Sequence, residues 1–286
     1  MQSRTGSLTA AIAVILVCLL TGCAPDPAPE DMRESLMEVV EDPTPPKAAE
    51  TYDARLHPDP IADPVECAPY LVVTARGTGE SSEEHMLSPL TRVVSDARPG
   101  EVLTLDLDYP ADSDMNEGGT RGVRLLIDTL GVQAEACAEQ RFVLIGYSQG
   151  AMVVGDALAA PATRLVGATT GELAPGVADR ILAVVLYGNP RFTSSETYSF
   201  GTFDAGVDGL LPRQAGSLAG FADRLRDYCV AWDFVCQRSL DLDGGAHGTY
   251  YDNGMLLDGA AFVIVRLPLL DSAPSAADRA EPRDPG

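Results

Sequence analysis

Short apolar runs alternate along the chain with segments of helical periodicity, and this alternation constrains the fold more than any other feature. The runs are rich in Val, Ile and Leu without polar alternation, which is typical of strands buried on both faces of a parallel sheet. Strand–helix alternation over about 200 residues predicts an α/β fold, a single αβα sandwich with a mostly parallel sheet of about five strands. The predicted strands cover residues 70–75, 102–107, 142–146 and 181–187, and the predicted helices cover about 86–97, 120–139 and 151–159.

The first 22 residues have the pattern of an export signal. A basic start at Arg4 precedes an apolar run over residues 8–20, which is too short to span a bilayer comfortably. The run ends in the letters LTGC at Cys23, similar to a bacterial lipobox, in which the cysteine thiol carries diacylglycerol. We therefore predict a signal peptide over residues 1–22 and a bacterial protein lipid-anchored to the cell membrane through Cys23. An ordinary signal peptide and a freely secreted protein remain the alternative.

Two stretches at the ends of the chain have compositions typical of unpacked polypeptide. Positions 24–66 contain nine Pro, twelve acidic and three basic residues, with one apolar patch at residues 36–40. Such a composition buries too little apolar surface to offset the entropy of ordering it, so we predict an acidic, Pro-rich tether over residues 23–66. Residues 271–286 are similar and predict a disordered tail. The folded domain is therefore expected over residues 67–270.

Charge and cysteine content limit the partners and the compartment. The net charge is −22 and Lys47 is the single lysine, so the chain lacks a basic surface for phosphates and we expect no nucleic-acid partner. Three histidines are too few for a His-rich zinc site, and we expect no metal and no cofactor. An even number of cysteines in an exported domain predicts disulfides, with three possible pairings. The four cysteines after the export signal are Cys67, Cys137, Cys229 and Cys236.

The sharpest motif is Gly146-Tyr147-Ser148-Gln149-Gly150, which follows the third apolar run and opens a helical segment. In a nucleophile elbow the serine occupies a strained strand-to-helix turn, and the two glycines let neighbouring backbone pass without a clash. The first amides of the helix then point at a developing oxyanion. A Gly-rich turn with a serine helix cap is the simpler alternative. The strand–turn–helix setting favours Ser148 as a nucleophile.

A serine nucleophile needs a base and an acid, which on this fold follow it in the order Ser, acid, His. His247 is the sole histidine after Ser148 and is therefore the candidate base. Asp233 is the favoured acid because it lies between Cys229 and Cys236. If these two cysteines pair, the chain must double back, and such a closed turn can hold the carboxylate rigidly against the histidine. The competing acids are Asp227, Asp241 and Asp243.

At these residues the chain resembles the cutinases and their actinobacterial cutinase-like relatives, a family that also includes acetylxylan esterases. The resemblance covers most of residues 67 to about 251 and is carried by four motifs in order. They are ARGTGE at 75–80, GYSQG at 146–150, YGNP at 187–190, and a cysteine pair with Asp at the fourth position after its first Cys, followed by His.

The resemblance implies an α/β-hydrolase fold for the catalytic domain and a full set of site residues. Trp232 and Phe234 depart from the smaller residues, or proline, expected beside the acid, which affects the shape of the acyl pocket. The implied set is a triad of Ser148, Asp233 and His247, an oxyanion hole from Thr78 and Gln149, and disulfides Cys67–Cys137 and Cys229–Cys236.

The predicted function is that of an exported serine esterase, a monomer that hydrolyses lipid or polyester esters through an acyl-enzyme. Two alternatives remain open. One is an acetyl esterase or acyltransferase acting on envelope polysaccharide or glycolipid, and the other is a surface lipoprotein that has lost catalysis.

Overall fold

A computed structural model describes residues 29–41, 45–240 and 245–269 of the chain. The predicted signal peptide, the predicted lipidation site Cys23 and the predicted tail over 271–286 lie outside the described residues. Within the described part, no helix is both long enough and apolar enough to cross a membrane.

Within the described residues, six parallel strands form one central sheet. The strands are β1 (Tyr70–Ala75), β2 (Val102–Asp106), β3 (Arg141–Tyr147), β4 (Ile181–Tyr187), β5 (Ser199–Gly201) and β6 (Leu225–Cys229). Their order in the sheet is β2-β1-β3-β4-β6-β5. The four strands predicted individually are β1 to β4. The mostly parallel sheet, expected with about five strands, is confirmed and has six.

Helices cover both faces of this sheet. Side chains alternate along each strand, so Leu71 and Val73 of β1 pack on one side while Tyr70 and Val72 pack on the other. The first side is covered by α4 and α5, and the second by α3 and α8, which gives the predicted αβα sandwich. The helices are α1 (Pro29–Glu41), α2 (Pro46–Thr51), α3 (Ser88–Ala97), α4 (Met115–Ala136), α5 (Gln149–Leu158), α6 (Pro175–Ala178), α7 (Gly245–Gly248) and α8 (Met255–Ile264).

The register of the strands brings four loops to one edge of the sheet. Ala75 of β1 pairs with Gly146 of β3, while Tyr187 of β4 pairs with both Tyr147 of β3 and Tyr228 of β6. Because the strands are parallel, their carboxyl ends lie together, and ligands of open α/β sheets bind at that edge. The loops after β1, β3, β4 and β6 therefore start from neighbouring points.

Strand β6 was not predicted because its sequence, LRDYC, does not form an apolar run. Asp227 in its middle is buried and accepts a hydrogen bond from Asn189 Nδ2 at 2.8 Å. The Arg226 guanidinium lies over the rings of Phe200 and Phe262. The polar residues of this strand find their partners far away in the sequence. They interrupt the apolar pattern, so periodicity alone does not predict the strand.

Residues 23–66 were predicted to be an unpacked tether, but the described parts of this segment, 29–41 and 45–66, pack on the domain. Leu36 and Val39 of α1 are buried in the core cluster that contains α4, and Ala48 of α2 is buried as well. The two apolar residues are three positions apart, so they lie on one face of the helix and bury together. Composition averaged over the segment concealed this local pattern.

The chain between α2 and β1 is bound to α4 through polar contacts. The buried Arg124 side chain donates to the carbonyl oxygens of His57 and Asp59, each at 2.9 Å. Gln133 Oε1 accepts the Val65 N–H at 2.9 Å. A disulfide between Cys67 and Cys137 then joins this segment to the end of α4.

Candidate active site

Ser148 occupies a sharp turn between β3 and α5. Its φ of +53° lies in a region that non-glycine residues rarely adopt, and its N–H donates to Tyr187 O at 2.9 Å. A Cβ at Gly150 would lie 2.0 Å from Ala75 O, and one at Gly146 would lie 2.6 Å from Gly150 O. Both glycines are therefore required by close backbone packing, and the turn has the geometry of a nucleophile elbow.

His247 lies on α7 with its imidazole against the Ser148 hydroxyl. The distance from His247 Nε2 to Ser148 Oγ is 2.9 Å. The ring stacks on Tyr147 at a centroid distance of 5.0 Å, and Tyr147 Oη donates to His247 O at 3.0 Å. A Cβ at Gly188, which has a φ of +55°, would lie 2.7 Å from His247 Cε1. The glycine of the YGNP motif thus makes room for the imidazole.

Asp233 lies on the other side of the imidazole, fully buried. Both carboxylate oxygens are 3.0 Å from His247 Nδ1. Since an ionised carboxylate has no hydrogen to donate, Nδ1–H donates to Asp233 and Nε2 is left to accept the Ser148 hydroxyl hydrogen. The structure therefore brings the predicted nucleophile, base and acid into one hydrogen-bond chain.

The Asp233 carboxylate remains ionised although it is buried. Burial acts to raise its pKa, but the charge of His247 and hydrogen bonds from His247 and Tyr250 outweigh burial, so the net pKa lies below its usual range. The N–H groups of Val235 and Cys236 also donate to Oδ1, at 2.7 and 3.2 Å. A charged acid beside the imidazole can stabilise a proton on His247.

The Cys229–Cys236 disulfide closes the turn that holds Asp233, as the resemblance implied. Of the competing acids, Asp227 lies in β6 and contacts Asn189. Asp241 and Asp243 lie outside the described residues.

Thr78 and Gln149, the two residues expected at the oxyanion hole, are in contact. Thr78 Oγ1 donates to Gln149 Oε1 at 3.1 Å, and both residues are buried. Gln149 is the first residue of α5, so its N–H is not used within the helix. Thr78 is supported by Glu80, whose carboxylate accepts the N–H of Gly77 at 2.6 Å and that of Met86 at 2.7 Å.

The aromatic residues near the acid have different environments. Trp232 has a φ of +71° and the residue is 69% exposed, so it does not pack into the core. Phe234 is buried and meets the His247 ring edge-on at a centroid distance of 5.3 Å. Of the two departures from the expected small residues, one is therefore exposed to solvent and the other packs against the His247 ring.

Sequence reasoning did not single out Tyr250. Its hydroxyl lies 2.7 Å from Asp233 Oδ2, and the side chain is fully buried. The available signal was its position three residues after His247, which on consecutive helical turns places both side chains on one side.

The described residues contain no group of three or more His, Cys, Asp or Glu side chains that could hold a metal ion. The arrangement of Ser148, His247 and Asp233 can perform nucleophilic acyl transfer with protein groups alone.

Comparison with known proteins agrees with this fold. The catalytic core of an acetyl xylan esterase from Trichoderma reesei superposes with a TM-score of 0.61 at 25% identity, covering 70% of this chain and 100% of that one. A cutinase from Kineococcus radiotolerans is 33% identical over 199 residues, which are 68% of this chain and 60% of that protein. Carboxylesterase Culp1 of Mycobacterium tuberculosis is 29% identical over 211 residues, covering 72% of this chain and 84% of that protein.

Fold and relatives together define a carboxylic ester hydrolase of the α/β-hydrolase fold. A sequence model of the family described as Cutinase matches residues 66–267. The chain belongs to the cutinase family.

Proposed function

We propose that this protein is an exported serine esterase that hydrolyses carboxylic esters of lipids or polyesters through an acyl-enzyme on Ser148. The observation that carries the proposal is the hydrogen-bond chain from Asp233 through His247 to Ser148 Oγ. Membership of the cutinase family supports ester hydrolysis as its chemistry.

In the first half-reaction, Ser148 Oγ attacks the ester carbonyl carbon while its proton passes to His247 Nε2. Asp233 stabilises the resulting imidazolium through Nδ1–H. The tetrahedral intermediate collapses when the alkoxide leaving group takes the proton from Nε2, which releases the alcohol and leaves an acyl ester on Ser148. Water then attacks this ester with His247 again as base, and the carboxylic acid leaves.

Thr78 and Gln149 are proposed to stabilise the oxyanion of both tetrahedral intermediates. The Gln149 N–H lies at the amino end of α5, where the helix dipole favours negative charge. The Thr78 hydroxyl contacts the side chain of Gln149, the residue that follows Ser148. Removing one donor of such a pair lowers kcat by about 100- to 1,000-fold.

The test is a series of p-nitrophenyl esters from acetate to palmitate, hydrolysed by the wild type and by Ser148→Ala. We expect Ser148→Ala to lose turnover by several orders of magnitude and to lose covalent labelling by a fluorophosphonate. Ser82→Ala, which changes an exposed serine, is the matched control and should behave as wild type. Equal, negligible turnover by wild type and Ser148→Ala, without labelling, would instead support a non-catalytic surface lipoprotein.

The same series separates the substrate classes. A maximum at acetate, together with acyl transfer to sugar acceptors, would favour an acetyl esterase or acyltransferase acting on polysaccharide or glycolipid. This second candidate is kept because the similar Trichoderma reesei structure is an acetyl xylan esterase. A maximum at longer acyl chains would favour lipid or polyester substrates.

We also propose that the protein is exported and held at the membrane through lipid on Cys23. Two disulfides fit an extracellular protein. The Cys23→Ser variant should lose detergent-phase partitioning and be recovered in the aqueous phase. Unchanged partitioning would contradict the anchor and leave the esterase proposal untouched.

A further inference from the structure

Tyr250 contacts the acid of the proposed triad through its hydroxyl group. Its Oη lies 2.7 Å from Asp233 Oδ2, and the Val230 N–H lies 3.2 Å from the same hydroxyl oxygen. The hydroxyl has one hydrogen and the ionised carboxylate has none, so Tyr250 donates to Asp233 and accepts from Val230. The phenol is therefore held by one donor and one acceptor, and its oxygen also lies 3.3 Å from Cys236 Sγ of the disulfide.

The chain places Tyr250 and His247 on the same carboxylate through local geometry. His247 lies on α7, and Tyr250 follows on the next short helical turn, Thr249–Tyr251. The Tyr250 ring packs edge-on against Tyr147 at 6.2 Å and Tyr187 at 5.8 Å between centroids. Since the side chain is fully buried among these rings, it has no room to turn away from Asp233.

We propose that Tyr250 is a positioning residue for ester hydrolysis, which orients the Asp233 carboxylate toward His247 and withdraws part of its negative charge. The inference rests on the proposed triad. A carboxylate that shares its charge with a phenol is a weaker base toward the imidazole, so the imidazolium is less stabilised.

Three titratable side chains from separate elements contact Tyr250: Asp233 from the disulfide-closed turn, Tyr147 from β3 and Tyr187 from β4. His247 from α7 in turn contacts both Asp233 and Tyr147. On the far side of Tyr187 its ring stacks on Tyr228, which contacts both Arg226 and Asp258.

Tyr250 keeps its hydrogen throughout the working range of a histidine base. Burial, together with the charge of Asp233, raises the pKa of Tyr250 well above its usual value. The same cause, burial, raises the pKa of Tyr187. Between about pH 4 and 9, the hydrogen bond to Asp233 is therefore always donated by the phenol.

The test is the pH dependence of kcat/KM for p-nitrophenyl butyrate with Tyr250→Phe. We expect the acid limb of the profile, where kcat/KM falls on the acidic side, to move upward by about half to one pH unit. We also expect kcat to fall several-fold, because Asp233 loses a charge-assisted hydrogen bond. Rates are divided by the number of sites labelled by a fluorophosphonate, so a partly unfolded sample does not imitate the effect. An acid limb at the wild-type pH would overturn the inference even if kcat fell.

Tyr187→Phe is the matched control. It removes a hydroxyl from the same aromatic cluster, but that hydroxyl donates to Met255 O at 3.1 Å and not to Asp233. We expect this variant to lose thermal stability while keeping the wild-type acid limb. An equal shift in both variants would show that the effect belongs to the cluster and would overturn a specific role for Tyr250. Absence of labelling in the wild type would overturn the triad together with this inference, whereas normal labelling with an unmoved limb overturns the inference alone.

Discussion

The Glu80 carboxylate accepts the Gly77 N–H at 2.6 Å, which fixes the backbone immediately before Thr78. Its second oxygen accepts the Met86 N–H at 2.7 Å, so one side chain closes the whole loop. The preceding Arg76 side chain, also buried, donates to Tyr109 O at 2.6 Å. The ARGTGE motif is thus explained as a support for the position of Thr78.

We predict that Glu80→Gln lowers kcat by about tenfold or more while KM changes little. The amide keeps one acceptor oxygen but turns an NH₂ group toward the second backbone N–H, which leaves a buried donor unpaired at a free-energy cost of about 1–3 kcal/mol. Steady-state kinetics with p-nitrophenyl butyrate measure the effect. Glu83→Gln changes an exposed acid of the same loop and should have wild-type kinetics. If both variants have the same kcat, the loop does not depend on Glu80.

Asp227 gives a prediction for the pH dependence of stability. Burial raises its pKa to about 7, against the opposing hydrogen bond from Asn189 and the charge of Arg213. The unfolded chain releases this proton near pH 4, so the folded state binds more protons between about pH 4 and 7. The free energy of unfolding contributed by Asp227 is therefore highest at low pH and is lost as pH rises through that window.

Asp227→Asn removes this penalty, because an amide oxygen can still accept from Asn189 and carries no charge. At pH 8 we expect the variant to be more stable than wild type by about 2–4 kcal/mol, with the difference disappearing toward pH 4. Urea unfolding at several pH values measures it. Asp179→Asn, at an exposed aspartate, is the control and should show no such pH-dependent gain. A constant difference at all pH values would contradict ionisation of Asp227 as the cause.

Removal of the two disulfides should affect stability and kcat differently. Cys67–Cys137 closes a loop of 70 residues and Cys229–Cys236 one of 7, so chain entropy predicts about 4 and about 2.5 kcal/mol of stabilisation. The double alanine variant of the first pair should lose more stability but keep its kcat. The second pair lies on either side of Asp233, so its double alanine variant should have a lower kcat although it loses less unfolding free energy. Equal losses of kcat per labelled site would contradict this division.

Much of the fold and of the candidate site could be predicted from the sequence because the signals are local. Strands β1 to β4 are continuous apolar runs. The glycines on both sides of Ser148 indicate that backbone segments pack closely there, and this signal can be recognised without knowing a distant partner. Asp233 could be selected over its competitors because two cysteines flank it at a spacing that requires a turn.

The features that escaped prediction depend on partners far away in the chain. Asp227 resembles a surface acid until Asn189, 38 residues earlier, is placed against it. Tyr250 is one of nine tyrosines, and nothing in the neighbouring sequence shows that its hydroxyl contacts Asp233, which lies 17 residues earlier. Tertiary contacts of this kind override local composition.

The first described helix provides the last prediction. Leu36 and Val39 are buried in the same core cluster as Val123 and Leu126 of α4, whereas Met37 on the same helix is 47% exposed. Leu36→Ala should lower the free energy of unfolding by about 2–4 kcal/mol, since it leaves a cavity against α4. Met37→Ala is the matched control, with an expected loss below about 1 kcal/mol.

Urea unfolding of the full chain measures both variants. Turnover of p-nitrophenyl butyrate should be unchanged because α1 packs on α4 and not on Ser148, His247 or Asp233. Equal stability of the two variants would show that residues 29–41 are a tether after all.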